Sequence, residues 1–358
     1  MAVAAVSRSD IKQAIRGVVD GRELTLDEAA AAMDAVMGGG VADAQIAALV
    51  TALRMRGETV EEIAGFAETM RRHALRVEVA PGLGPLVDTC GTGGDASGTF
   101  NISTTASFAI AGAGVRVAKH GNRAVTSRCG SADLLEGLGV AVELTPAAVA
   151  RCIEEVGIGF MYAPAFHPAM RFVGPTRREI GIRTIFNILG PLTNPAGAGH
   201  QLIGVGHPEI ARKLARVLAR LGSERAVLVH AAEGLDEIGI AGPTTVTEYD
   251  ARHGEIRVFQ ITPEEFGLGR ATVEDLRGGD VAANVAITRA VLSGEPGPRR
   301  AVTLLNAGAG IYAADAAASV AEGVELAATA IDSGAALATL TRLADLSSDL
   351  AASASVTP

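Results

Sequence analysis

Apolar residues between positions 10 and 75 recur at the spacing of amphipathic helices. Ile46, Leu49, Val50 and Leu53 stand at i, i+3, i+4 and i+7, and Ile63, Phe66, Ala67 and Met70 repeat that stripe. Thr25-Leu26-Asp27-Glu28 has capping-box spacing and predicts a helix through Met37, stopped by Gly38-Gly39-Gly40. Thr59 to Glu62 repeats the spacing just after Gly57, where the preceding helix should end. Three or four short helices in a small bundle follow from this pattern. Its charged residues read as solvated faces.

Past the linker Ala80-Pro81-Gly82-Leu83-Gly84-Pro85 the texture changes to short β-rich runs alternating with Ala-rich helices. Strands are predicted at 86–88, 115–119, 201–205, 225–230 and 256–259, with helices at 103–111, 131–138, 146–156 and 208–220. This alternation predicts an α/β fold, with a small N-terminal helical domain and a larger domain built on a mostly parallel sheet flanked by helices. The domains are expected at 1–78 and 79–358, with a helical segment near 165–190 joining the first. Residues 304–346 read as packing helices, and a frayed, disordered tail is expected from about Ser347.

Composition narrows the function. Hydrophobic residues make up 48% of the chain and charged residues 20%, enough for large cores, while aromatics are 3% with no Trp, too few for a nucleic-acid stacking platform. A net charge of −9 argues against a general nucleic-acid or membrane-surface binder. Cys90, Cys129 and Cys152 lack metal-ligand spacing and read as reduced thiols. Met1 to Asp10 does not have the basic-then-apolar pattern of a secretion signal, and a cytoplasmic location is expected.

The candidate chemistry sits in two stretches. Asp88-Thr89-Cys90-Gly91-Thr92-Gly93-Gly94-Asp95 follows a strand and leads through Asn101-Ile102-Ser103-Thr104 into a helix. Strand, glycine loop and polar helix start can build an anion cradle, although a small-residue turn has the same composition. Lys119-His120-Gly121-Asn122-Arg123-Ala124-Val125-Thr126-Ser127 also follows a strand and precedes a helix starting near Ser131. Two such loops on successive strand ends suit a ligand with two anionic groups, with Lys119 a point charge and Arg123 a planar fork.

Together with Gly130-Ser131-Ala132-Asp133-Leu134-Leu135-Glu136 and Asn187-Ile188-Leu189-Gly190-Pro191-Leu192-Thr193-Asn194-Pro195, these stretches closely resemble the anthranilate phosphoribosyltransferase family. The resemblance covers nearly the whole chain. It implies transfer of a 5-phosphoribosyl group from phosphoribosyl pyrophosphate to the amine of anthranilate, with release of pyrophosphate, in tryptophan biosynthesis. It further implies donor contacts at Gly91, Gly94, Asp95, Thr99, Asn101, Ile102, Ser103 and Thr104. The second loop would add Lys119, His120, Gly121, Asn122, Arg123, Ala124, Val125, Thr126, Ser127 and Ser131 to the donor site. Thr126 stands where many relatives have Ser, which keeps the hydroxyl.

The same resemblance implies Mg²⁺ at Ser103, Asp236 and Glu237. Anthranilate would lie against Gly91, Asn122 and Arg177, with His120 and Tyr162 close by and Arg178 as the neighbour most easily mistaken for Arg177. His167 is either an acceptor-pocket residue or a packed structural histidine. His120 is a candidate base for the amine proton. The partners implied are small molecules and a second copy of the chain, docked through the helical domain, rather than nucleic acid or a membrane. Two alternatives remain. One is a pyrimidine nucleoside phosphorylase, against which Asn122-Arg123 replaces small residues. The other is a non-catalytic nucleic-acid-binding relative, disfavoured by the net charge.

Overall fold

The computed structural model describes residues 8–94, 97–124 and 128–354. Asp95, Val125, Thr126 and Ser127, four of the predicted donor contacts, lie outside the described residues.

Four helices open the chain: α1 (Arg8–Val19), α2 (Leu26–Met37), α3 (Asp43–Arg56) and α4 (Val60–His73). Both predicted capping boxes form. The Thr25 hydroxyl accepts from the Glu28 N–H at 3.2 Å and Glu28 accepts from the Thr25 N–H at 2.9 Å, and Thr59 and Glu62 reproduce both contacts. Glu62 departs from the solvated-face expectation. It is fully buried, accepts a second hydrogen bond from the Leu24 N–H at 2.8 Å and pairs with Arg56. A carboxylate can be buried here because each oxygen has a partner.

The larger domain is a seven-stranded sheet in the order β3-β2-β1-β4-β5-β6-β7. Its strands are β1 (Leu86–Gly91), β2 (Arg116–Gly121), β3 (Ile158–Tyr162), β4 (His200–Gly204), β5 (Arg225–Ala231), β6 (Thr244–Asp250) and β7 (Glu255–Ile261). The first five are parallel, and β6 and β7 run antiparallel at one edge. Two strands depart from the sequence pattern. β3 is a five-residue apolar run directly after the helix Pro146–Val156, marked off only by the left-handed cap Gly157 at φ 97°. β6 is Thr-rich, with the sequence Thr-Thr-Val-Thr-Glu-Tyr-Asp, and lacks a clean alternation.

The bundle and the sheet domain are joined closely. Val173, Ile185, Phe186, Leu189 and Leu192, from a run of short helices between 163 and 192, share one apolar core with α1–α4. Arg71 on α4 donates to the carbonyls of Leu192 at 2.7 Å and Leu221 at 3.2 Å. The frayed tail is corrected: Ala335–Ala354 is one helix. Ser347, inside the expected tail, is fully buried, and its hydroxyl accepts from the Ala141 N–H at 3.0 Å. Tertiary contact there overrides a Ser- and Ala-rich composition.

From β1 the chain crosses to β2 and β3 on one side, then returns to β4 on the other. This reversal brings the carboxyl ends of β2, β1, β4 and β5 to one edge, with β1 at the switch point where open α/β sheets bind ligands.

Candidate active site

The floor of the site is a buried polar bracket between β1 and β2. Asp88 is fully buried. One carboxylate oxygen accepts from the His120 N–H at 3.2 Å, the other from the Asn194 amide at 2.8 Å, and the same amide nitrogen reaches the Ala118 carbonyl at 2.8 Å. Burial pushes the Asp88 carboxyl up, opposed by the Asn194 bond and by the charge of Lys119. Lys119, buried likewise, donates its ammonium to the Thr89 carbonyl at 2.5 Å and the Thr89 hydroxyl at 3.3 Å. Its charge is therefore turned into the sheet beneath the loops rather than out into them.

The first loop is held by segments remote in sequence. The Thr92 N–H donates to the Gly204 carbonyl at 2.8 Å, and the Thr92 hydroxyl accepts from the Gly206 N–H at 3.1 Å. The next N–H, of Gly93, donates to Asp236 Oδ2 at 2.9 Å, while Arg183 Nη2 donates to the Thr92 carbonyl at 3.2 Å. Gly93 and Gly94 both have positive φ, 66° and 88°, where glycine avoids backbone strain. A Cβ on Gly94 would also fall 1.6 Å from the Arg183 guanidinium. Thr99 bridges to Arg277, and the Phe100 N–H donates to the Leu276 carbonyl, tying the far end of the loop to a third segment.

Helix α5 (Ile102–Gly112) follows. Its orphan Ser103 N–H donates to Glu237 Oε1 at 3.1 Å. The side chains of Ile102 and Thr104 are buried, so only their backbone can face a ligand. Asn101 links the loops: its amide donates to the Cys129 carbonyl at 3.1 Å and its oxygen accepts from Asn284 at 3.0 Å.

In the second loop, the Asn122 carbonyl accepts from the Ser131 hydroxyl at 3.0 Å and the Ala132 N–H at 3.2 Å. Arg123 is drawn back onto helix α6 (Ser131–Gly137), pairing with Asp133 and Glu136, and its guanidinium lies 5.4 Å from the Tyr162 ring centroid. The N–H groups of Ala124 and Gly130 both donate to Asp133 Oδ2 at 2.9 Å. A Cβ on Gly121 would meet the Ser131 hydroxyl at 2.4 Å, so the loop folds over this glycine.

On the acceptor side Arg177 and Arg178 separate. Arg177 is half-buried, its guanidinium 5.7 Å from the Phe186 ring centroid and its pKa drawn down by burial, whereas Arg178 is exposed. His120 and His167 are both buried with ring centroids 5.0 Å apart, and the Nε2 of each has no partner among the described residues. Burial, then the neighbouring His167, pull the His120 pKa down to about 3; burial pulls His167 down to about 4. Both rings are neutral near pH 7.

Asp236 and Glu237 lie between buried Leu235 and buried Ile238 in the loop after β5. Asn306 clamps Ile238, accepting from its N–H and donating to its carbonyl, each at 3.0 Å. The Asp236 backbone crosses Gly204 so closely that a Cβ there would fall 1.6 Å from the Asp236 carbonyl. The predicted trio Ser103, Asp236 and Glu237 is thus brought together from the first turn of α5 and the loop after β5. Among the described residues no cluster of three or more His, Cys, Asp or Glu could hold a metal by itself. Two carboxylates and a hydroxyl fit Mg²⁺, a hard ion that takes a few protein oxygens and completes its shell with waters and substrate phosphates.

Three supporting residues escaped the sequence reading. Asn194 stands inside the motif at 187–195, and Asn306 stands inside an Ala-rich helix. Arg183 was hidden among neighbouring arginines. A polar amide inside an apolar stripe, as at Asn306, is the signal that could have found one of them.

The helical bundle domain of a glycosyl transferase family matches residues 12–74, and the a/b domain of that family matches residues 83–337. An anthranilate phosphoribosyltransferase of Roseiflexus castenholzii is 57% identical over 339 residues, spanning 94% of this chain and 98% of its own. Among solved structures, the anthranilate phosphoribosyltransferase of Thermus thermophilus has a TM-score of 0.88 at 46% identity, covering 93% of this chain and 99% of that one. The Saccharomyces cerevisiae enzyme in complex with PRPP and Mg has a TM-score of 0.87 at 28% identity, covering 96% and 99%. The same yeast enzyme is also known in complex with 4-fluoroanthranilate.

The histidine pair makes a pH prediction. Folded pKa values of about 3 and about 4 lie below the ordinary 6.5, so the folded state binds fewer protons than the unfolded state between them. Their contribution to stability is complete above pH ~6.5 and lost as pH falls toward the folded values. The thermal midpoint should therefore fall as pH is lowered from 6.5 to 4.5. His120→Gln with His167→Gln should flatten that fall; an unchanged slope would count against the assignment.

Proposed function

The chain belongs to the anthranilate phosphoribosyltransferases of this glycosyl transferase family, and we propose that its two loops grip phosphoribosyl pyrophosphate while Arg177 and Asn122 hold anthranilate. It is a pentosyltransferase of tryptophan biosynthesis, moving the 5-phosphoribosyl group from the pyrophosphate donor to the amine of anthranilate. What carries the site reading is the meeting of Asp236 and Glu237 with the N–H groups of Gly93 and Ser103. Carboxylates stand there on amides suited to phosphate oxygens, at the start of a helix.

The donor site combines Gly91, Gly94, Thr99, Asn101, Ile102, Ser103 and Thr104, and the Gly93 N–H, with the second loop at 119–124 and Ser131. Asp95 and Val125 to Ser127 join it on the family resemblance. Mg²⁺, when bound through Ser103, Asp236 and Glu237, would neutralise the departing pyrophosphate. The yeast relative bound to PRPP and Mg supports that choice of ion. The chain's own part is electrostatic and positional: fixed amides face the leaving charge, and the acceptor amine is held behind the anomeric carbon as oxocarbenium character develops. Arg177 offers a fork for the anthranilate carboxylate, and its half-burial strengthens that pairing. The neutral His120–His167 pair lines this side. Burial disfavours the imidazolium that proton abstraction would create, which weighs against His120 as the base.

The helical bundle is our proposed dimer surface. Met55 on α3 is 84% exposed and Val19 on α1 is 66% exposed, apolar positions that a second copy would cover.

Four outcomes test these assignments. With phosphoribosyl pyrophosphate and Mg²⁺ the protein should quench anthranilate fluorescence, without a pH–rate limb near the ordinary histidine pKa. Asp236→Asn with Glu237→Gln should abolish turnover at an unaltered circular-dichroism spectrum, and full activity there would remove the metal assignment. Arg177→Ala should raise the anthranilate KM by about tenfold or more, the loss of a charged hydrogen bond, while Arg178→Ala leaves it unchanged; the reverse would reassign the fork. Light scattering should give a dimer that Met55→Asp weakens, and a monomeric parent would refute the interface.

A further inference from the structure

Arg183 stands outside every residue assigned above to donor, acceptor or metal. It lies half-buried six residues beyond Arg177, in the segment between the helices Gly174–Ile180 and Phe186–Leu189. Its guanidinium rests against the backbone of Gly94, 1.6 Å from where a Cβ would be, and Nη2 donates to the Thr92 carbonyl at 3.2 Å. That carbonyl and the Gly93 N–H belong to one peptide unit. The N–H end points to Asp236 Oδ2 at 2.9 Å. A cation therefore holds one end of this peptide plane and an anion the other.

The rest of Thr92 is already fixed, its N–H on Gly204 and its hydroxyl on Gly206. Rotation of the Thr92–Gly93 plane is what remains, and glycine at 93 resists it least, since it accepts φ of either sign. If the plane turned over, a carbonyl oxygen would face the site in place of an N–H, and an anion there would be repelled. When a pyrophosphate oxygen takes the Gly93 N–H, the Asp236 carboxylate is displaced toward the metal, and the pull on that end changes hands. The Arg183 contact, on the opposite end, need not change.

We propose that Arg183 is a positioning residue that locks the Thr92–Gly93 peptide with its N–H facing the donor's pyrophosphate. It acts through the loop and does not touch substrate. Because it also follows Arg177 along one short segment, it ties the orientation of the donor loop to the acceptor side. This inference rests on the donor-site reading given above.

Isothermal titration of magnesium phosphoribosyl pyrophosphate into the full-length protein tests it, beside steady-state kinetics. Arg183→Ala should weaken donor binding about tenfold to a hundredfold, the loss of one charged hydrogen bond, with the anthranilate KM within about twofold of the parent. Arg183→Lys should recover most of the donor affinity, because one donated N–H suffices for the Thr92 carbonyl. Donor affinity in Arg183→Ala within about twofold of the parent would overturn the proposal. So would a loss confined to anthranilate, or an Arg183→Lys protein as impaired as Arg183→Ala. A parent that binds no donor would instead overturn the donor-site reading itself. Thermal midpoints of both variants separate a folding defect from these outcomes: a fall in midpoint with donor affinity intact counts against Arg183.

Discussion

The site depends on charge buried beneath it. Asp88 on β1 and Lys119 on β2 are both removed from water, an arrangement that survives only when their polar atoms are matched. Asn194 and the His120 N–H satisfy the carboxylate, and the Thr89 carbonyl and hydroxyl accept from the ammonium. The consequence is geometric. The ends of β1 and β2 are drawn together by groups that cannot be exchanged for apolar ones without leaving a partner unpaired, and both loops spring from those ends. Lys119 thus lies beneath the cradle, with its ammonium held on Thr89.

Above that floor, the loops are shaped by close backbone approach. Gly204 lets the Asp236 loop cross β4, Gly94 admits the Arg183 guanidinium, and Gly121 makes room for the Ser131 hydroxyl. The first two contacts join segments dozens of residues apart, and the third folds the second loop onto the helix that follows it. Asp236 and Glu237 are likewise fixed from afar: their carboxylates accept from the N–H groups of Gly93 and Ser103, and Asn306 on a distant helix clamps the adjoining Ile238. The carboxylates of Asp236 and Glu237 meanwhile rest on the Gly93 and Ser103 amides, which leaves both carboxylates and amides at one place. Fixed amides and carboxylates of this kind suit electrostatic preorganisation, which agrees with the neutral, buried pair His120 and His167.

Much of this was legible in the amino-acid sequence. The capping boxes at Thr25 and Thr59, the apolar stripes of the bundle and the β/α alternation depend on local spacing, and local spacing is what a sequence displays. The two glycine loops stood out because motif and chemistry agreed, and the family followed from them. Strands β3 and β6 were not, because one is too short and the other too polar to show a period. Ser347 looked like tail composition until a neighbouring N–H buried it.

The sequence by itself determined the element types, the fold class and the residue kinds that could bind an anion. Only the tertiary structure decided which way those residues point and what they touch. It turned Lys119 inward, drew Arg123 onto Asp133 and Glu136, buried the side chains of Ile102 and Thr104, and brought Arg183 and Asn306 to loops that sequence order keeps far from them. The physical reason is that a side chain's direction and desolvation are set by neighbours across the sheet edge, and sheet order places residues together that the chain lists far apart.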